Sequence, residues 1–143
     1  MSMRAGPPSI VLDSNIISDL LRAERNPDLA QAFAAVLRAD ARVLLCPVVY
    51  YEVRRGLEHR ELPGKLAQLE AVASDLEWDD LHRGDWEAAA ALYGQLCRRG
   101  RILEDRDILI AVYARRRGAA VVSHNVKHFA ALGVEVVDWK RSG

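Results

Sequence analysis

The sequence predicts an α/β fold, a five-stranded parallel sheet sandwiched between helices, and three observations predict it. Short β-branched runs alternate with segments of helical periodicity, and parallel neighbours need such crossover connections. Several helical segments close on a glycine, at Gly100, Gly118 and Gly133, the residue that most easily takes the left-handed conformation ending a helix. Polar residues, Asp13 first among them, stand directly after apolar strand runs, where open sheets of this kind place their ligand crevice.

Residues 9–13 form the first strand, ending in an acid, and residues 14–22 continue as a helix with Ile17, Leu20 and Leu21 at helical spacing. Asn26-Pro27-Asp28 starts a second helix, whose Leu29, Ala32, Phe33, Val36 and Leu37 make an apolar stripe directed at the sheet. Residues 42–46 are the second strand. Pro47 opens a helix carrying Val48, Val49, Val53 and Leu57, with Glu52 in its middle and Gly56 near its end. Leu62-Pro63 begins another helix through Leu66, Leu69 and Val72, and residues 76–78 are a short third strand. Helices over 86–99 and 105–117 stop at Gly100 and Gly118. Residues 119–123 are the fourth strand, 125–132 a short helix and 134–138 the fifth strand.

The 143 residues suit one domain over 9–140, preceded by a flexible segment over 1–8. Half the residues are hydrophobic and mean hydropathy is −0.07, which supports a folded core rather than general disorder. Twenty basic residues balance twenty acidic ones, so binding to nucleic acid has to be local rather than a property of net charge. The longest apolar run, 43–51, is short and contains Pro47, and residues 1–8 lack the apolar stretch of a secretory signal; no membrane span and a cytoplasmic location are expected. Cys46 and Cys97 are far apart and make neither a zinc knuckle nor a disulfide framework. No dinucleotide, P-loop or serine-hydrolase signature is present.

Three acids carry the chemistry. Asp13 lies at the carboxyl end of the first strand, where it can also cap the following helix. Glu52 interrupts an apolar helical segment and needs a cation or hydrogen bonds if buried, whether from Arg54, Arg55 or a residue elsewhere. Asp107 precedes Ile108-Leu-Ile-Ala-Val112 in a helical first turn, a position the helix dipole also favours. Each has a structural reading of its own. Taken together they can converge, and convergent carboxylates call for a hard divalent cation such as Mg²⁺, which takes oxygen ligands and can activate water beside a phosphate.

Ile10-Val-Leu-Asp13-Ser-Asn15, Glu52-Val-Arg-Arg-Gly56, Asp107-Ile-Leu-Ile-Ala111 and Val121-Val-Ser123-His-Asn125 with Phe129 together resemble the PIN-domain nucleases, and within them the VapC-type toxins of toxin–antitoxin pairs. The resemblance covers nearly the whole chain. It implies a PIN-like sheet and an endoribonuclease dependent on Mg²⁺ or Mn²⁺, with Asp13, Glu52 and Asp107 as catalytic and metal-binding acids. Ser14 matches the hydroxyl position supporting the first acid, Asn15 its polar neighbour, and Ser123 and Asn125 the fourth motif. That motif commonly ends in an acid, and the neutral Asn125 puts a second metal ion in doubt. Glu104 and Asp105 stand beside the third acid in supporting roles. The resemblance further implies an RNA substrate, a small antitoxin covering the crevice with a basic side chain competing for the metal site, and a homodimer.

Arg98, Arg99, Arg101 and Arg106 flank the third acid and are expected to hold the RNA backbone, whereas Arg115, Arg116 and Arg117 complement the dipole at a helix end. His124 and His128 have the four-residue spacing of a zinc pair, without an evident third ligand. Two other readings compete: a PIN fold with impaired catalysis that serves as a binding module, and a receiver-like signalling domain with Asp79 or Asp80 as phosphoryl acceptor.

Overall fold

A computed structural model describes residues 8–139; the flexible segment expected over 1–8 therefore lies, Pro8 apart, outside the described residues, as does residue 140 of the domain. The chain runs β1 (Ser9–Leu12), α1 (Ser14–Leu20), α2 (Pro27–Arg38), β2 (Arg42–Leu45), α3 (Pro47–His59), α4 (Pro63–Ser74) and β3 (Glu77–Trp78). It continues through α5 (Arg83–Arg98), α6 (Asp105–Arg117), β4 (Ala120–Val122), α7 (Val126–Ala131) and β5 (Val136–Val137). This is the helix-flanked, five-stranded parallel sheet expected.

The strand order is β3-β2-β1-β4-β5. β1 lies at the centre, with Val11 opposite Leu44 of β2 on one side and Val121 of β4 on the other. Val11 and Leu12 are fully buried, which is why this strand is continuously apolar rather than alternating. The chain moves outward from β1 to β3 and then returns to the far side of β1 as β4. The order therefore reverses between β1 and β4, and the residues that follow these two strands are Asp13 and Ser123. The edge strands β3 and β5 have two residues each, too short to invite pairing with another chain.

Two elements are shorter than their periodicity suggests. α1 stops at Leu20 because side chains take the carbonyls of a further turn: Lys65 Nζ donates to Leu21 O (2.6 Å), and Asn26 Nδ2 donates to Asp19 O (3.2 Å) and Arg22 O (3.1 Å). A 3-10 turn, Ala23–Arg25, follows. β5 loses its first residues because Gly133, at φ 78°, turns the chain back so that Val134 N donates to Phe129 O and its side chain is buried.

α6 packs against β1, β4, α3 and α5 and buries Ile108, Ile110, Ala111, Val112, Tyr113 and Ala114. It is the central helix, and it carries Asp107 in its first turn. Its basic end makes specific pairs beyond the dipole: Arg116 Nε lies 2.8 Å from the buried Asp85, and Arg117 Nε 3.3 Å from Asp79. Asp79 also accepts a hydrogen bond from Tyr113 Oη (2.8 Å). The receiver-like reading ends here. Asp79 follows an edge strand two positions from β1 and serves as a structural acceptor, and Asp80 accepts from Trp78 Nε1.

Candidate active site

Asp13 is positioned by the sheet and by the helix it starts. Its N–H donates to Val122 O (2.9 Å), extending the β1–β4 ladder by one residue. The carboxylate is buried. Oδ1 accepts from Ser14 N (2.8 Å), which makes Asp13 the cap of α1, and Oδ2 accepts from Ser123 Oγ (2.7 Å). Ser123 Oγ accepts in turn from Asn125 N (2.9 Å). The capping reading of Asp13 therefore holds. The hydroxyl bonded to it belongs to Ser123, while Ser14 contributes its backbone.

Glu52 and Asp107 face each other across Arg106, whose guanidinium pairs with Glu52 through Nη1 and lies 3.4 Å from Asp107 Oδ1 and 3.4 Å from Glu104 Oε2. Arg54 is engaged with Glu58 and Glu70. The cation that Glu52 requires thus comes from α6 rather than from its own helix. Arg106 departs from the expectation that it holds RNA, because burying two carboxylates demands a positive charge and this side chain is the one within reach. Glu52 Oε1, Asp107 Oδ1 and Asn15 Oδ1 are buried without a hydrogen-bond partner. Burial, with the charges of Asp13 and Glu104, pushes the Asp107 carboxyl above its ordinary range against the opposing pull of Arg106.

A solvent-open cavity of about 320 Å³ lies over this cluster, lined by Asp13, Asn15, Asp19, Glu52, Arg106 and Asn125 among others. Asp105 is exposed at the start of α6 and borders a different hollow, with Trp86 and Tyr93. Arg98, Arg99 and Arg101 are exposed around the α5–α6 connection and do not line the acidic cavity. His124 and His128 do not form a pair: α7 starts only at Val126, so His124 lies between Asp19 (2.9 Å) and Asp138 (3.3 Å), while the exposed His128 approaches Asp107 (3.8 Å). Asp19, Arg22 and Arg60 also line the cavity without having been singled out from the sequence. A signal for them exists in the three- and four-residue spacing of Asn15, Ser18, Asp19 and Arg22 along and just past α1, and of Glu52, Gly56 and Arg60 along α3 to its C-terminal cap.

Among the described residues no group of three or more His, Cys, Asp or Glu side chains is arranged to hold a metal ion. The donor set nevertheless fits a hard cation in kind. It is all oxygen, two of its carboxylate oxygens lack hydrogen-bond partners, and its crowded charge is already met by one guanidinium. The raised Asp107 carboxyl has a stability consequence. A folded-state pKa above the ordinary value makes the charged form a burden that is fully felt above that pKa and disappears as pH falls below the unfolded value. Asp107→Asn is therefore expected to raise Tm at pH 7, with the gain shrinking toward pH 4, as followed by thermal unfolding across that range.

The PIN domain family model matches residues 10–134. The chain is 31% identical over 107 residues to the tRNA(fMet)-specific endonuclease VapC of Shigella flexneri, an alignment that covers 70% of this chain and 77% of that one. The structure is similar to that of DNA-bound VapBC from Salmonella typhimurium, with TM-score 0.81 at 24% identity over 92% of this chain and 98% of that one. It is also similar to FitAcB from Neisseria gonorrhoeae, with TM-score 0.78 at 20% identity over 93% and 99%. At these identities the two structures speak for the fold, while the domain match and the Shigella flexneri relative decide membership: the chain belongs to the PIN-domain family, among its VapC-type toxins.

Proposed function

We propose that the protein is a metal-dependent endoribonuclease and the toxin of a toxin–antitoxin pair. The observation that carries this reading is a cavity at the point where the strand order reverses, lined by Asp13 after β1 and by Glu52 of α3, with the buried Asp107 of α6 behind it and tied to Glu52 through Arg106. Asp13, Glu52 and Asp107 are the residues that would hold Mg²⁺ or Mn²⁺, which when bound supplies positive charge to the scissile phosphate and lowers the pKa of a water. The hydrogen bonds from Ser14 N and Ser123 Oγ keep the Asp13 carboxylate from rotating, so its free lone pairs face the cavity in one orientation. Asn15 and Asn125 line the same wall and offer neutral polar groups for orienting water or ribose hydroxyls. Hydrolysis adds water across a phosphorus–oxygen bond and leaves one phosphate monoester and one free hydroxyl.

The antitoxin is proposed from the family and from the VapBC and FitAcB complexes that this fold resembles. A homodimer is supported by the exposed Trp86 and Tyr93 of α5 and by the exposed Ile102 just beyond it. No helix among the described residues is long and apolar enough to cross a membrane, and a cytoplasmic location is proposed.

Purified protein incubated with structured and single-stranded RNAs is expected to cleave with Mg²⁺ or Mn²⁺ and not with chelator. Initiator tRNA is the first substrate to try, given the activity named for the Shigella flexneri relative. Cleavage that survives chelation overturns the metal dependence. Stable RNA binding without cleavage under any divalent ion favours the binding-module reading instead.

A further inference from the structure

Two hollows lie side by side on the surface made by α1, α3 and the start of α4, and they share Ser18, Arg22, Val53 and Arg60 as a common wall. The first is the acidic cavity. The second, about 290 Å³, adds Lys65 to the two arginines, has Leu21, Leu57 and Leu62 as its apolar part, and contains no acidic side chain in its lining. The surface is therefore polarised over a short distance, from carboxylates in the first hollow through the two shared arginines to Lys65 in the second.

We propose that this second hollow is a phosphate-binding subsite for an RNA strand, in which Arg22 and Arg60 grip the backbone beside the phosphate at the acids. The proposal rests on the ribonuclease reading and specifies where that substrate runs. Arg60 has no acidic partner among the described residues; only its Nε is used, donating to Gly56 O (3.2 Å), which leaves both terminal amino groups for a bidentate grip on phosphate. Arg22 pairs with Asp19 at 3.2 Å while its side chain remains half exposed, so it can meet an incoming anion with little loss of burial. Lys65 is held by Leu21 O and contributes its charge from a fixed place. The leucines offer an apolar surface to ribose and base faces. In a chain of zero formal charge, such a local cationic wall is what electrostatic attraction to RNA requires.

The test is binding of the full chain to a labelled single-stranded 12-mer RNA, measured by fluorescence anisotropy in chelator between 50 and 200 mM salt, with Arg22→Ala, Arg60→Ala and the double variant. Arg83→Ala, which removes an exposed arginine of α5, is the charge-matched control. Each groove variant is expected to bind about tenfold more weakly. The double variant is expected to flatten the salt dependence by about 1.4 in slope, as for two lost contacts to a single strand. Arg83→Ala should stay within about twofold, and thermal unfolding should show all variants folded. An unchanged salt slope in the double variant, or an equal loss in the control, overturns the proposal. So does displacement of the RNA by polyglutamate at equal charge, which assigns the groove to an acidic polypeptide. Cleavage with Mn²⁺ is scored in parallel. Wild-type cleavage without the groove effect removes the subsite and spares the nuclease, whereas the groove effect without wild-type cleavage does the reverse.

Discussion

Asp13→Asn is expected to lower RNA cleavage about a thousandfold, the loss of roughly 4 kcal/mol of transition-state stabilisation, while leaving stability nearly unchanged. The separation of the two effects follows from the bonds this residue makes. Asparagine caps helices as well as aspartate does, so its amide oxygen can keep the hydrogen bond from Ser14 N. Its amide nitrogen then faces Ser123 Oγ, and that hydroxyl changes from donor to acceptor by rotating. What is lost is the negative charge that a divalent ion needs at the end of β1. Single-turnover cleavage with Mn²⁺, measured beside Tm, checks both halves. Activity within tenfold of wild type would remove Asp13 from the proposed mechanism.

Asp85→Ala acts far from the cavity and on the other side of the ledger between fold and function. The buried Asp85 accepts two hydrogen bonds from Arg116 Nε (2.8 and 3.0 Å) and a third from His82 N (2.8 Å) at the start of α5. Its loss removes a helix cap and strands a guanidinium. Because the Arg116 side chain is 27% exposed and can turn toward water, the lower end of the range for broken buried pairs applies, about 3 kcal/mol, or a fall of roughly 10 °C in Tm. Burial alone would push the Asp85 carboxyl up, but the hydrogen bonds from Arg116 and His82 and the Arg116 charge outweigh it and hold the group below its ordinary value. A depressed folded-state pKa contributes stability above the unfolded value, near 3.9, and that contribution is lost as pH falls through the folded one. The gap between wild type and variant should therefore be constant from pH 7 to about 5 and close below about 4. Urea unfolding at several pH values measures it, and a fall in Tm below about 2 °C would show the pair to be energetically idle.

The order of strands and helices was legible because each element carries its own periodicity or terminal glycine, and those are local properties. Asp13, Glu52 and Asp107 were legible for a related reason: each is a charge embedded in or next to an apolar run, which folding has to account for. The fate of Arg106 was not. Nothing in the local pattern separates it from Arg98, Arg99 and Arg101, and its turn inward is decided by the approach of α6 to α3 around Glu52. Arg22 and Arg60 were missed for the same reason. Their stripes can be read on each helix, but the meeting of those stripes is a tertiary fact. The His124 and His128 spacing makes no zinc pair because His124 precedes a helix that begins only at Val126.

The hydrogen bond between Ser123 and Asp13 joins residues 110 positions apart, and the central strand gains β4 as a neighbour only after β2 and β3 have been synthesised. A chain made only as far as α5 can place α1 and α3 against the first strands, yet it has neither Ser123 to lock the first carboxylate nor the third acid, which arrives with α6. The first carboxylate is thus locked in place only once the chain has been made through β4 and Ser123.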